Sequence, residues 1–258
     1  MRRFNADAII KNHPMQFVQL KSNHQPNRQL IVKNPSDIFI GLIVAALLLL
    51  SANAQATVRY WDTDGVYPGL GVGGPFDWVS DNLWNTDPSG GGAGVTGGWV
   101  NGDTAVFNGN GTSVVTVDTP VTCTNFYVGD AITGGSGVIL NLSTGLVNCV
   151  NGIYVGYSGS GSATVNLTGN GVLACSNWAS PYPVQYVGSG GCSGTLNLSN
   201  SALYADCILD VGNSGGTGTI DINGGELYSW GNVVIGNSAN GTVNINGNGS
   251  FVGNNVTI

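Results

Sequence analysis

The chain has 258 residues, of which only 8% are charged and 42 are glycine, and its formal net charge is −7. That composition excludes a helix-rich enzyme, whose surface needs many Lys, Glu and Arg and whose helix interiors Gly weakens. Only one basic residue, Arg59, lies beyond residue 38, against twelve acids, so this stretch repels phosphate backbones and nucleic acid is excluded as a partner.

In chain order, residues 1–54 read as a leader. A basic segment precedes "IFIGLIVAALLLL" (38–50), and "SANA" (51–54) places small residues at Ala52 and Ala54. This is the layout of a secretory signal with its cleavage site. The apolar run is shorter than the ~20 residues of a membrane span; an uncleaved anchor over 38–54 is the alternative. The basic region is long, which leaves Met15 as a second candidate start. The expected location is extracellular or on the outer cell surface, with membrane contact only through the leader or an anchor beyond the C-terminus.

Residues 55–120 concentrate four of the six tryptophans, Trp61, Trp78, Trp84 and Trp99. A stack of strands exposes unpaired edges and an apolar interior at its end. Large aromatics on an irregular segment suit a cap there.

From residue 121 to 258 the chain repeats. "FYVG", "IYVG", "QYVG", "LDVG" and "VVIG" end at Gly129, Gly156, Gly188, Gly212 and Gly236, spaced by 27, 32, 24 and 24 residues. Each unit has a second strand: "ILNLS" (139–143), "TVNLT" (164–168), "TLNLS" (195–199), "TIDIN" (219–223) and "TVNIN" (242–246). A third segment centres on Leu146, Leu173, Leu203, Leu227 and Phe251. Three short strands per ~24 residues fit one coil of a β-solenoid. Alternation sends Phe126/Val128, Ile153/Val155, Leu209/Val211 and Val233/Ile235 inward, with Leu140/Leu142, Val165/Leu167, Leu196/Leu198, Ile220/Ile222 and Val243/Ile245. Gln185 falls in an inward slot, next to an inserted "SNWASPYP" (176–183) that reads as a bulging loop. The chain ends at Ile258 as a further unit begins, so the solenoid reads as truncated.

These motifs support a family comparison. "YWDTDG", "NLWN", "WVNGDTAVFNG" and "VTVDTPVT", followed by the "GTVNING" units, resemble bacterial autotransporter-associated β-strand repeat proteins and exported PEP-CTERM-type surface repeat proteins. The resemblance implies an all-β, right-handed parallel β-helix with an adhesive or structural role at the cell surface.

The chemistry-bearing residues are few. Lyases on such a fold need a basic residue, and residues 55–258 hold no Lys, no His and only Arg59. A hydrolase needs two carboxylates ~5–9.5 Å apart in one groove; Asp206, Asp210, Asp221 and Glu226 are the candidates. Each occupies a repeat slot filled elsewhere by neutral residues. Asp221 reads as one rung of an outward row with Asn141, Asn166, Asn197 and Asn244. The expectation is therefore a non-catalytic passenger without cofactor or catalytic residues; a carbohydrate-active β-helix is the alternative. Surface glycans or other cell-surface components are the expected partners. Tyr127, Tyr154 and Tyr186 form an outward column, and with Asp210 and Asp221 they are the candidate glycan-facing residues. "DTDG" (62–65) lacks the remaining ligands of a calcium loop. Cys123, Cys149, Cys175, Cys192 and Cys207 are odd in number without a C-x-x-C, and read as small semi-apolar residues in strand positions. Outward Thr and Asn rows are similar to those of ice-binding solenoids, though no flat, regular Thr lattice is evident.

Overall fold

The computed structural model describes residues 56–64, 71–90, 96–130, 135–142, 145–176 and 183–258. The leader and most of the insertion at 176–183 lie outside them. Among the described residues there is no helix. The chain winds into a parallel β-solenoid whose strands fall into an eleven-stranded and a seven-stranded sheet.

One coil shows the path. Ser193–Ser199 runs in the smaller sheet, Ala202–Ala205 and Ile208–Asn213 follow in the larger, and Gly218–Asn223 returns to the smaller. Three strand segments per coil thus form two sheets, because the last two segments share one bent sheet. At Val121–Val128, Leu146–Val155 and Glu226–Asn237 they run as a single strand. The bends fall at register shifts between Cys123 and Asn125 and between Ser229 and Asn232.

The segment 58–116 joins the same two sheets. Val58–Trp61 pairs in parallel with Thr104–Phe107, and Gly73–Asp77 with Gly111–Thr116, while Trp84–Asn85 pairs antiparallel to Val58–Trp61. Its four tryptophans pack with Phe107 and Phe126 at ring-centroid separations of 4.7–6.3 Å. The Trp84 indole N–H donates to the Trp78 carbonyl at 2.8 Å. Arg59 pairs with Asp103, whose other oxygen accepts the Thr57 amide at 3.0 Å.

The interior is a set of columns. One runs Val138, Val165, Leu196, Ile220, Val243; its neighbour runs Val115, Leu140, Leu167, Leu198, Ile222, Ile245. Burying each side chain contributes roughly 1.5–3 kcal/mol. Leu196, Leu198, Ile220 and Ile222 are fully buried, while Ile245 in the last described coil is 50% exposed.

The corners demand glycine. Gly212 has φ +78°, and a Cβ there would stand 2.1 Å from the Asn240 carbonyl oxygen of the next coil. No side chain fits between backbones that close.

Three expectations shift. Leu146 faces outward, and Val147 fills the third-segment column opposite Leu173. Placing Leu146 inside would have buried Asn148 and expelled Cys149, since alternation moves every side chain together. In the coil at 135–142 the alignment slips by two residues: Leu140 stacks on Leu167, Asn141 on Thr168, and Ile139 on Asn166. Asn141 therefore leaves the row of Asp221. A Thr row does exist on the smaller sheet, where Thr164, Thr195, Thr219 and Thr242 are consecutive register partners. It is one residue wide, with the Asn166–Asn197–Asp221–Asn244 row beside it.

Gln185 sits in its inward slot, 1% exposed, between Ile153 and Leu209 in the column. Its Nε2 donates to Cys207 Sγ at 2.9 Å, and its Oε1 has no partner. A half-satisfied buried amide costs stability that an apolar side chain of similar size does not. Gln185→Leu is therefore expected to stabilise the chain by about 1–2 kcal/mol, read from urea denaturation midpoints. Ile222→Asp, which buries an unpaired charge between Leu198 and Ile245, is expected to cost more than about 4 kcal/mol. An unchanged midpoint for Ile222→Asp would refute the inward assignment.

Candidate functional site

The outward face of the larger sheet carries a row that crosses the coils: Tyr60, Val106, Tyr127, Tyr154, Tyr186, Asp210, Val234. Tyr127 and Tyr154 stack face to face, centroids 4.5 Å apart and planes 12° apart. Tyr186 continues the stack at 6.1 Å and 29°. Tyr157, just past the corner glycine, packs against all three rings at 5.0–6.0 Å. Sequence reasoning missed it, because it lies one residue beyond the repeated "YVG".

Stacking determines what the ladder can touch. A sugar docks on an open ring face, and here Tyr127 and Tyr154 cover each other. The Tyr154 ring leans over Gly152, where an added Cβ would lie 2.5 Å from its hydroxyl oxygen. The middle of the column thus offers ring edges and hydroxyls.

The N-terminal end differs. Val106, much smaller than Tyr, separates Tyr60 from Tyr127 in the row. The face of Tyr127 turned away from Tyr154 is left toward this gap. Tyr60 and Tyr127 stand two coil spacings of ~4.8 Å apart, and Val106 between them is 4% exposed. A cavity of about 470 Å³ opens here, lined by Val58, Tyr60, Pro88, Thr104, Val106, Asn108, Asn125, Tyr127 and Asp130. That volume lies within the roughly 300–1,000 Å³ of small-molecule sites. Asn108 holds the wall in place: its side chain donates to the Asp130 carbonyl at 3.0 Å and accepts the Asp130 amide at 2.9 Å. Asp130 Oδ1 accepts the Ser158 hydroxyl at 3.0 Å. The sequence alone left Tyr60, Asn108, Asn125 and Asp130 unconnected, since a non-repeating segment supplies half of them.

The two acids on the candidate list are separated. Asp210, 4% exposed, follows Tyr186 in the row, and its Oδ2 accepts from Asn213 Nδ2 at 2.6 Å and Asn237 Nδ2 at 3.0 Å. Asp221 lies on the smaller sheet and accepts from Asn244 Nδ2 at 2.7 Å, as Asn166 accepts from Asn197 at 2.6 Å. Asp221 is thus a hydrogen-bonded rung. Glu226 occupies another row, between Ala202 and Ser250. Burial raises Asp206 above the ordinary carboxylate range. In the "DTDG" segment, Asp62 is buried and accepts from Asn85 Nδ2 at 2.8 Å.

A second aromatic group, Tyr204, Tyr228 and Trp230, lies beyond the bend of the larger sheet, with Trp230 55% exposed.

Comparison with known proteins gives one similarity. The chain is 29% identical over 166 residues to the Adhesin BmaC autotransporter of Brucella suis biovar 1 (strain 1330). The aligned stretch covers 60% of this chain and 4% of that protein. No family model matches the chain, so the particular repeat families suggested by its motifs are not assigned. No solved structure matches either. The similarity and the solenoid together fit a surface β-helix protein.

Burial, with Asp130 and Tyr157 nearby, pushes the Tyr127 phenol up to about 12. Burial raises Tyr154 further, with Tyr127 beside it. The folded phenols stay neutral where the unfolded ones ionise near pH 10, so the folded state binds more protons above that pH. Their contribution to stability is complete below about pH 10 and is lost as pH climbs through about 12. Urea midpoints are expected to fall with pH across that window, with a shallower fall in the Tyr127→Phe/Tyr154→Phe double variant.

Proposed function

We propose that this chain is a non-catalytic, surface-exposed passenger with an adhesive role, and that the Tyr60–Val106–Tyr127 slot takes a sugar ring of a neutral glycan. The slot carries the reading. It combines the Tyr127 ring at the end of the stacked ladder, a second aromatic, Tyr60, two strands away, and hydrogen-bonding groups on Thr104, Asn108, Asn125 and Asp130. Pyranoses bind through this combination, with C–H faces on aromatics and hydroxyls on amides and carboxylates.

Charge narrows the ligand. Arg59 is the only base among residues 55–258, and it is engaged by Asp103. With Asp130 in the wall, sulfated or sialylated glycans are disfavoured. The relative's adhesin name and the parallel solenoid fold support the adhesive role. The non-catalytic reading draws support from acids spent as hydrogen-bonded rungs on separate sheets. The same similarity and the signal-like layout of residues 1–54 support extracellular or outer-surface exposure.

A glycan array probed with the purified chain tests the proposal. Binding is expected among neutral glycans, with at least a tenfold loss in Tyr60→Ala and Tyr127→Ala. Val106→Tyr, which continues the ladder into the slot, is expected to abolish binding while leaving the circular dichroism unchanged. Retained binding in Val106→Tyr, or capture of no neutral glycan, would overturn the assignment. A reducing-sugar assay on the same glycans is expected to stay at background, and product release abolished by Asp221→Asn would favour an enzyme instead.

A further inference from the structure

Three of the five cysteines share one interior column, and a fourth lies beside its end. Cys123, Cys149 and Cys175 are register partners on three successive coils. Cys207 lies two residues past Ala205, the partner of Cys175 on the next coil. The sulfurs of Cys123 and Cys149 are 3.2 Å apart, and those of Cys175 and Cys207 are 2.9 Å apart. All four side chains are fully buried.

We infer that Cys123–Cys149 and Cys175–Cys207 are disulfide-forming pairs, two staples each joining consecutive coils when the chain folds in an oxidising compartment. As register partners, Cys123 and Cys149 have Cα atoms ~4.8 Å apart, within the 4.4–6.8 Å that a disulfide spans. Cys175 and Cys207 are not register partners, and their pairing rests on the 2.9 Å between their sulfurs. The pairing also accounts for every sulfur in the column. A Cys149–Cys175 bond would leave Cys123 and Cys207 stranded on either side of it. Cys192 stands apart in a corner, its Sγ donating to the Gly161 carbonyl at 3.0 Å, and remains a thiol. Two bridges and one unbridged cysteine thus explain the odd count.

The second pair encloses the irregular coil. Cys175 and Cys207 are 32 residues apart and bracket the insertion at 176–183 and the buried Gln185. A cross-link around this unit restricts the unfolded chain on either side of the buried Gln185.

The chemistry is thiol–disulfide exchange with an external disulfide, either a small molecule or an oxidoreductase. One cysteine thiolate attacks it, releasing a thiol and forming a mixed disulfide. The second cysteine thiolate then displaces the remaining external thiol. Two cysteine thiols are oxidised, one external disulfide is reduced to two thiols, and the cysteine protons pass to the leaving thiolates. Burial holds the Cys149 thiol well above its ordinary range, so a closed stack supplies little thiolate. Exchange therefore belongs to the period of coil stacking.

The test is refolding of the denatured full chain in a buffer of glutathione and its disulfide, then alkylation in denaturant and mass spectrometry. This readout is independent of glycan binding and of export. The expected product carries one alkylated thiol and lacks the mass of four hydrogens. Proteolysis should yield linked peptides Cys123–Cys149 and Cys175–Cys207. Cys175→Ser should expose two thiols and keep the Cys123–Cys149 link. The oxidised chain should melt on the order of 10 °C above the same chain refolded with reductant. Five alkylated thiols in a chain of native circular dichroism, a Cys149–Cys175 link, or equal melting temperatures with and without reductant would each overturn the inference.

Discussion

Apart from the antiparallel Trp84–Asn85 strand, strands here find hydrogen-bond partners in the coils above and below them, so each coil must present nearly the same backbone as its neighbours. That constraint governs the rest. It repeats the corner glycines, since a Cβ at Gly188 or Gly212 would strike the next coil's carbonyl at 2.0 or 2.1 Å. It superimposes like on like, which makes leucine and isoleucine columns inside and amide rows outside. It also makes stacked aromatics self-satisfying: the ladder Tyr127–Tyr154–Tyr186 uses its own faces as partners.

The proposed binding slot lies where the translation fails. Val106 interrupts the tyrosine row, and a slot opens between Tyr60 and Tyr127. Gln185 interrupts an apolar column and leaves a carbonyl oxygen without a partner. The column of Cys123, Cys149 and Cys175 shows the opposite behaviour, with translation bringing reactive groups into contact that a globular fold would scatter. A repeat architecture concentrates its chemistry at exceptions and at accidental ladders.

The solenoid was legible because its two signals reinforce each other. Glycines recur at near-constant spacing, and alternation between them splits each strand into an apolar and a polar face. Asp221 as a rung among Asn166, Asn197 and Asn244 follows from that pattern and is what the hydrogen bonds show. The register slipped where alternation is ambiguous: "VILNL" has apolar residues at 138, 139, 140 and 142, so two alignments look alike. Leu146 misled because hydrophobicity favoured it over Val147, whereas the buried Cys149 two residues beyond Val147 settles the face. The slot was out of reach of the repeat pattern. It joins Tyr60 and Val106, from a segment without period, to Tyr127, and only cross-coil register brings them together.

The orientation of the hydrogen bonds has a mechanical consequence. They run along the solenoid axis, from each coil to the next, so tension applied along that axis pulls on the coils in series. Where no disulfide joins neighbouring coils, a load then detaches one coil at a time, and each ~24-residue coil set free adds roughly 80 Å of contour. A stack built this way yields in steps and lengthens under load where a rigid rod would break.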